Sequence, residues 1–348
     1  MFKLIVALLV LIPFEFTSAA ALRFPGSPGE ADQYLYNTWT TRDGLPQDTV
    51  YCMIRDPGGY MWLGTHDGLV RFDGCHFKTF KIFKNANKIT SLLVSSSGAL
   101  WIGSDGGGVA YYQEEEFTIN PLPGSFIRTI VEDKQQNIWL GTSGKGVICF
   151  KDNHFTSFTT RDGLSDNNVT ALMPDDRGNL WVGTKNGLNC LTDGKFRSYT
   201  VDNGLAHPHV TALCRDKRGD LLVGTIIGMS ITSHLAEGKT FKSLDKPESS
   251  WIHSILEDRN GTIWIASDRG LYRVMPSTST DGGRGDAGRI LLNNEFSSDK
   301  VISLYEDCEG TLWFGTMGEG FSNLYKSTFK FYTVNHGQRY FLCVQEGV

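Results

Sequence analysis

A segment of the form "NLWVGTKNGL" recurs seven times, and this recurrence restricts the fold more than any other feature of the chain. Aligned on their aromatic column, the copies bring Trp62, Trp101, Trp139, Trp181, Leu222, Trp264 and Trp313 into register, at steps of 39, 38, 42, 41, 42 and 49 residues. A period near forty built of short strands marks a propeller or a similar array. Each copy holds four runs, which in the fourth read "NVTALMPD", "LWVGT", "LNCLTD" and "KFRSYT". Glycine, asparagine and aspartate separate the runs and no helical spacing links them, so each copy reads as a four-stranded antiparallel meander, strands A to D. Seven units predict an all-β fold, a seven-bladed β-propeller whose closure removes exposed sheet edges.

A blade has two apolar faces and buries them only against its neighbours, so one large aromatic per unit is expected to fill the space between blades. Leu222 breaks the column and is expected to fill its interface less well. Gly64, Gly141, Gly183, Gly224 and Gly315 follow the tryptophan column and fit close approach of blades or a bulge. Gly68, Gly187 and Gly270 precede the third strand, where tight turns require positive φ.

Two segments compete to close the ring. "YLYNTWTTRDGL", Tyr34 to Leu45, matches the end of a unit, and so does "STFKFYTV", Ser327 to Val334. The longest step contains "STSTDGGRGDAG", Ser277 to Gly288, an exposed insertion expected between strands of the sixth unit and the seventh. Its Arg284-Gly285-Asp286 tripeptide is short enough to arise by chance.

The chain opens with Lys3, an apolar run from Leu4 to Phe14 and small residues at Ala19 to Ala21, the order of a secretory signal. That run is well short of the roughly 20 residues that span a bilayer, and no later run is long enough. The expected organisation is a signal peptide over 1–21, a propeller over 22–334 and a tail, or the start of a further repeat, over 335–348, in a periplasmic or extracellular protein. The seven cysteines, an odd total, show no C-x-x-C pair, although an oxidising compartment would permit disulfides; Cys149 and Cys190 lie in apolar strand patterns and are expected to be small buried hydrophobes. Lys and Arg total 33 against 38 Asp and Glu, a net charge of -5 with no basic run, which argues against nucleic acid. No nucleophile elbow, HExxH helix, phosphate loop or dinucleotide fingerprint is present, so neither a catalytic constellation nor a cofactor is expected.

The pattern "DGL…V..I.ED..G.LW.GT..GL", seen in Asp43 to Leu69 and again in Asp162 to Leu188, resembles the two-component regulator propeller repeat, and the resemblance covers residues 36 to 334. It implies the extracytoplasmic sensor region of a bacterial receptor of the hybrid histidine kinase type, binding a carbohydrate or another small ligand. In such receptors further propeller repeats, an immunoglobulin-like domain, a membrane helix and an output domain follow. This sequence carries no kinase segment, so it is expected to be either a fragment of a receptor or a short free-standing member.

In an antiparallel meander the B–C and D–A loops share one end. Variable polar groups there, on a repeated scaffold, are where binding residues are expected. The B–C loops contribute His66, Asp67, Asp105, Lys145, Lys185, Asn186, Asp268, Arg269 and Glu319. From the D–A loops come Gln47, Asp48, Asp166 to Asn168, His207 and His209. Two histidines without a third ligand fall short of a metal site, and the separation of Asp105 and Glu319, which would decide a glycosidase-like or lyase-like pair, is not encoded locally. Three functions are open at this point: a ligand-sensing propeller, a lyase or hydrolase on the same scaffold, and a scaffold for a protein partner or further receptor domains.

Overall fold

The computed structural model of the protein describes residues 20–22, 34–84, 86–120, 122, 125–232, 241–244, 250–274, 287–290 and 300–326. Seven antiparallel sheets follow one another along the chain. Blade 4 shows the plan: strand A is Val169–Pro174, B is Leu180–Thr184, C is Gly187–Thr192 and D is Lys195–Tyr199. The A strands, beginning at Val50, Ile89, Phe126, Val169, Val210, Ile252 and Val301, pack one against the next around the ring, so they form its inner wall.

Ring closure is decided in favour of the N-terminal segment. Tyr34–Trp39 pairs antiparallel with Phe321–Lys326, strand C of blade 7, and so supplies that blade's strand D. Ala20–Leu22 adds a fifth strand outside it. The competing segment Ser327 to Val334, most of the signal and the Arg284-Gly285-Asp286 tripeptide lie outside the described residues. The sixth-unit insertion is shorter than expected, because Ala287 and Gly288 belong to that blade's strand D, Ala287–Ile290.

The core is divided into seven apolar clusters, one between each pair of adjacent blades. Trp62 meets Ile89 and Ile102 of blade 2, and Trp181 meets Val210 and Val223 of blade 5. Trp313 meets Val50 and Leu63 of blade 1 across the seam. Leu222 is itself fully buried, with Met229, Ile255 and Ile265 packed around it. The glycine of strand B is where blades come closest: a Cβ on Gly183 would lie 2.6 Å from Val210 Cγ1, and one on Gly224 would lie 2.7 Å from Ile252 Cγ2. Gly68, Gly187 and Gly270 have φ of 142°, 121° and 109°, as the turns into strand C demand.

One feature of the repeat is invisible in the apolar pattern. The aspartate that opens the A–B turn accepts turn N–H groups on one oxygen and the tryptophan indole N–H on the other. Asp175 Oδ1 takes Arg177 N and Asn179 N, while Oδ2 takes Trp181 Nε1 at 3.2 Å. The same indole bond joins Trp62 to Asp56, Trp139 to Asp133, Trp264 to Asp258 and Trp313 to Asp307. A buried indole N–H left without an acceptor costs roughly 1–3 kcal/mol, so this aspartate allows a tryptophan to sit in the interface. Cys149 and Cys190 are buried thiols, and burial pushes the Cys149 thiol up to about 11. Cys75 and Cys308 are exposed.

Candidate functional site

The B–C and D–A loops do share one end of the ring, and backbone hydrogen bonds tie them together. The N–H groups of Asp105, Lys185, Asp268 and Met317 donate to the carbonyls of Lys88, Asn168, Trp251 and Lys300, the residues just before each strand A. Between blades, Gly187 N–H donates to Pro208 O and Gly320 N–H to Asp48 O. The loop residues are therefore held by the inner wall as extensions of the A–B ladder.

This arrangement sorts the predicted residues into two tiers. His66, Asp105, Lys185 and Asp268 directly follow strand B and sit beside the inner wall. Asp67, Lys145, Asn186, Arg269 and Glu319 lie at the loop tips, where each backbone N–H donates to the last Thr or Ser hydroxyl of strand B. In the D–A loops, Gln47, Asp166 and His207 serve the loop itself: Gln47 Oε1, Asp166 Oδ1 and His207 Nδ1 accept the N–H of Thr49, Asn168 and His209. Asp48 and Asn167 accept the N–H of Thr41 and Thr160 and pin the preceding turn.

Two clusters form at the channel mouth. In the first, Lys88 Nζ lies 3.4 Å from Asp105 Oδ2 and 4.4 Å from the centre of the Tyr51 ring, so this cation is taken up on both sides. The second spans blades 5 and 6. Trp251 is stacked on His253 at 5.5 Å with 19° between planes, and the His209 ring stands edge-on to Trp251 at 6.0 Å. Asp268 Oδ1 accepts the Trp251 N–H at 3.0 Å. Trp251 is 43% exposed, more than any other tryptophan among the described residues, and Phe126, Ile227 and Met317 are exposed at the same end. Below it, His253 Nε2 and Thr211 Oγ1 are buried without a protein hydrogen-bond partner. By contrast, the equivalent Thr90 and Thr170 hydroxyls donate to Ile127 O and Val210 O of the next blade. His66 pairs with its neighbour Asp67 at 3.7 Å.

Burial drives His209 and His253 of the Trp251 cluster toward the neutral form. It lowers His209, with help from the charges of Lys185 and His207, against Asp166. It lowers His253 to about 4, partly opposed by Asp268 and aided by Lys300. Since the folded pKa of His253 lies below its ordinary 6.5, the unfolded chain binds the extra proton first as pH falls. The stability held by neutral His253 is present above pH 6.5 and is lost between pH 6.5 and about 4. A His253→Gln variant is expected to flatten the fall in melting temperature over that window; an unchanged slope would assign the acid sensitivity to other groups.

Tyr51, Trp251, His253 and Lys300 escaped the loop-based reading, because they lie in or next to strand A. Their signal was the alternation in "SWIHS": Trp251 and His253 flank Ile252, which points into the blade interface. Two further clefts, of about 180 and 330 Å3, open at the opposite end, between blades 3 and 4 and between blades 2 and 3. They are lined by A–B turn residues such as Asp133, Lys134 and Glu132 and contain none of the predicted site residues. Among the described residues no group of three His, Cys, Asp or Glu is placed to hold a metal, and no helix is long and apolar enough to cross a membrane.

Residues 44–67, 121–144, 163–186 and 246–269 match the two component regulator propeller family. The matches take in strands A and B of blades 1, 3, 4 and 6. A stretch of 52 residues, 15% of this chain, is 42% identical to histidine kinase P4 of Formosa agariphila and spans 4% of that protein. Among solved structures, the extracellular domains of two hybrid two-component systems of B. thetaiotaomicron share the fold. One matches at 23% identity and a TM-score of 0.70 over 85% of this chain, the other at 20% and 0.71 over 89%. The chain covers 40% and 45% of those domains, less than half of either. Virginiamycin B lyase from Staphylococcus aureus matches at 14% identity and a TM-score of 0.66, over 84% of this chain and 98% of its own.

Proposed function

We propose that this chain, a ring of two-component regulator propeller repeats, is the extracytoplasmic ligand-sensing region of a bacterial signal transduction receptor. It binds a small molecule, a carbohydrate foremost, at the channel end formed by the B–C and D–A loops. The observation that carries this reading is the open Trp251 between His209 and His253. A large amphipathic ring exposed on a rigid inner wall, over buried polar atoms that lack partners, is a prepared binding surface. Export through the N-terminal segment is part of the same proposal, as is delivery of the signal by receptor parts beyond this ring.

The likeness to a lyase is one of fold, and fold does not settle chemistry. The test separates the two. Thermal unfolding of the chain against a panel of oligosaccharides and small metabolites is expected to give a saturable rise in melting temperature, because a ligand that binds only the folded state stabilises it. The rise should disappear in Trp251→Ala and should come without turnover. Product formation would move the protein to the lyases, and a shift that survives Trp251→Ala would move the site elsewhere on the ring.

A further inference from the structure

The mouth holds two exposed ammonium groups that stand outside any ion pair among the described residues. Lys185 flanks the aromatic cluster on the His209 side, fixed by its N–H to Asn168 O. Lys300 flanks it on the His253 side, fixed by the bond from Met317 N–H to its carbonyl. Both side chains are exposed, and among the described residues neither has a carboxylate within ion-pair distance. The carboxylates nearby each hold a loop by one oxygen: Asp166 Oδ1 accepts two donors from Asn168, and Asp268 Oδ1 accepts the Trp251 N–H. On the far side, Asp105 is taken by Lys88.

We propose that the ligand of this mouth is a ring compound bearing an oxyanion, its ring laid on Trp251 and its oxyanion taken by Lys185 and Lys300. The inference rests on the sensor reading above and narrows the ligand class. The ring face uses the stacking surface, and the oxyanion offers the two ammonium groups a charged acceptor in place of water. Such chemistry is found in uronic-acid oligosaccharides and in free aromatic carboxylates.

The test titrates the full chain with three probes, reading tryptophan fluorescence and heat: an oligogalacturonate, the neutral galactose oligomer of equal length, and phenylacetate. A carboxylated probe is expected to bind at least about tenfold more tightly than the neutral oligomer and to weaken with added salt. Exchange of both lysines, K185Q with K300Q, should cost about tenfold to a hundredfold in affinity, while the exposed positions leave folding intact. Oligogalacturonate or phenylacetate as the tighter binder identifies the source of the oxyanion. Equal or tighter binding of the neutral oligomer, unchanged binding in the double variant, or failure of both carboxylated probes overturns the inference. A neutral ligand whose binding is lost in Trp251→Ala would sustain the sensor reading while removing the oxyanion from it.

Discussion

Gly320→Ala is expected to lower stability by about 4 kcal/mol or more and to open the ring at its seam. Gly320 has φ 78° and precedes strand C of blade 7, and a Cβ there would run into the carbonyl of Trp39 well inside contact distance. Equivalent glycines meet the end of strand D in other blades, as Gly146 meets the Phe158 carbonyl and Gly187 that of Tyr199. In those blades the strand lies a short hairpin away and both partners can shift together. At the seam, strand D comes from the other end of the chain, so the added methyl separates Tyr34–Trp39 from Phe321–Lys326. The bond from Gly320 N–H to Asp48 O, which ties blade 7 to blade 1, goes with it.

Gly318→Ala is the control. Its φ is 107° but a Cβ there meets nothing within 4 Å, so only the left-handed backbone term applies, about 1–2 kcal/mol. The two variants should differ sharply in melting temperature. In Gly320→Ala, amide exchange at Tyr34–Trp39 should rise to the level of an unpaired strand. If the two melt alike, the N-terminal strand does not carry closure, and a second strand must hold the ring.

How much of this was legible follows from where each constraint acts. The ring was readable because its cause is repeated locally: one aromatic per unit, a glycine two residues on, and a turn before strand C recur in every copy that keeps the pattern. The seam was readable only as a choice, since Tyr34–Trp39 and the segment after Lys326 both have the residues of a strand D, and occupancy of the slot is decided by pairing across the whole chain. The second role of Asp175 and its equivalents was hidden because an aspartate in a turn explains itself; its bond to an indole six residues away needs the hairpin folded. At the site, the loops gave Lys185, His209 and Asp268. Trp251 and His253 were not among the residues the loops supplied, although the residues in the Trp251 column elsewhere, Thr49, Lys88, Phe126, Asn168, His209 and Lys300, are mostly polar. Strand A is pressed by blades on both sides, so the side facing the channel emerges only when the ring closes.

Trp181→Ala is expected to destabilise the ring by about 3–5 kcal/mol while leaving the channel mouth able to bind. The side chain is fully buried in the interface of blades 4 and 5, among Leu188, Tyr199, Val210 and Val223, with the Tyr199 ring 5.8 Å away. Truncation removes that packing and also takes the indole donor from Asp175 Oδ2, while Asp175 Oδ1 keeps its two turn N–H groups. The chain itself shows what a milder change does. Leu222 stands in the tryptophan column of blade 5 above Asp216, and that interface is closed by Met229, Ile255 and Ile265. Trp181→Leu should therefore cost less than Trp181→Ala, since leucine fills part of the space that alanine leaves empty. Thermal melts of the three proteins, followed by titration of each with any ligand found for the mouth, make the comparison. Because Trp181 belongs to the blade interface and Trp251 to the channel, the first should move the melting temperature and the second the affinity. A Trp181→Ala protein that kept its melting temperature and lost its ligand would reverse these roles and place the recurrent tryptophan in recognition.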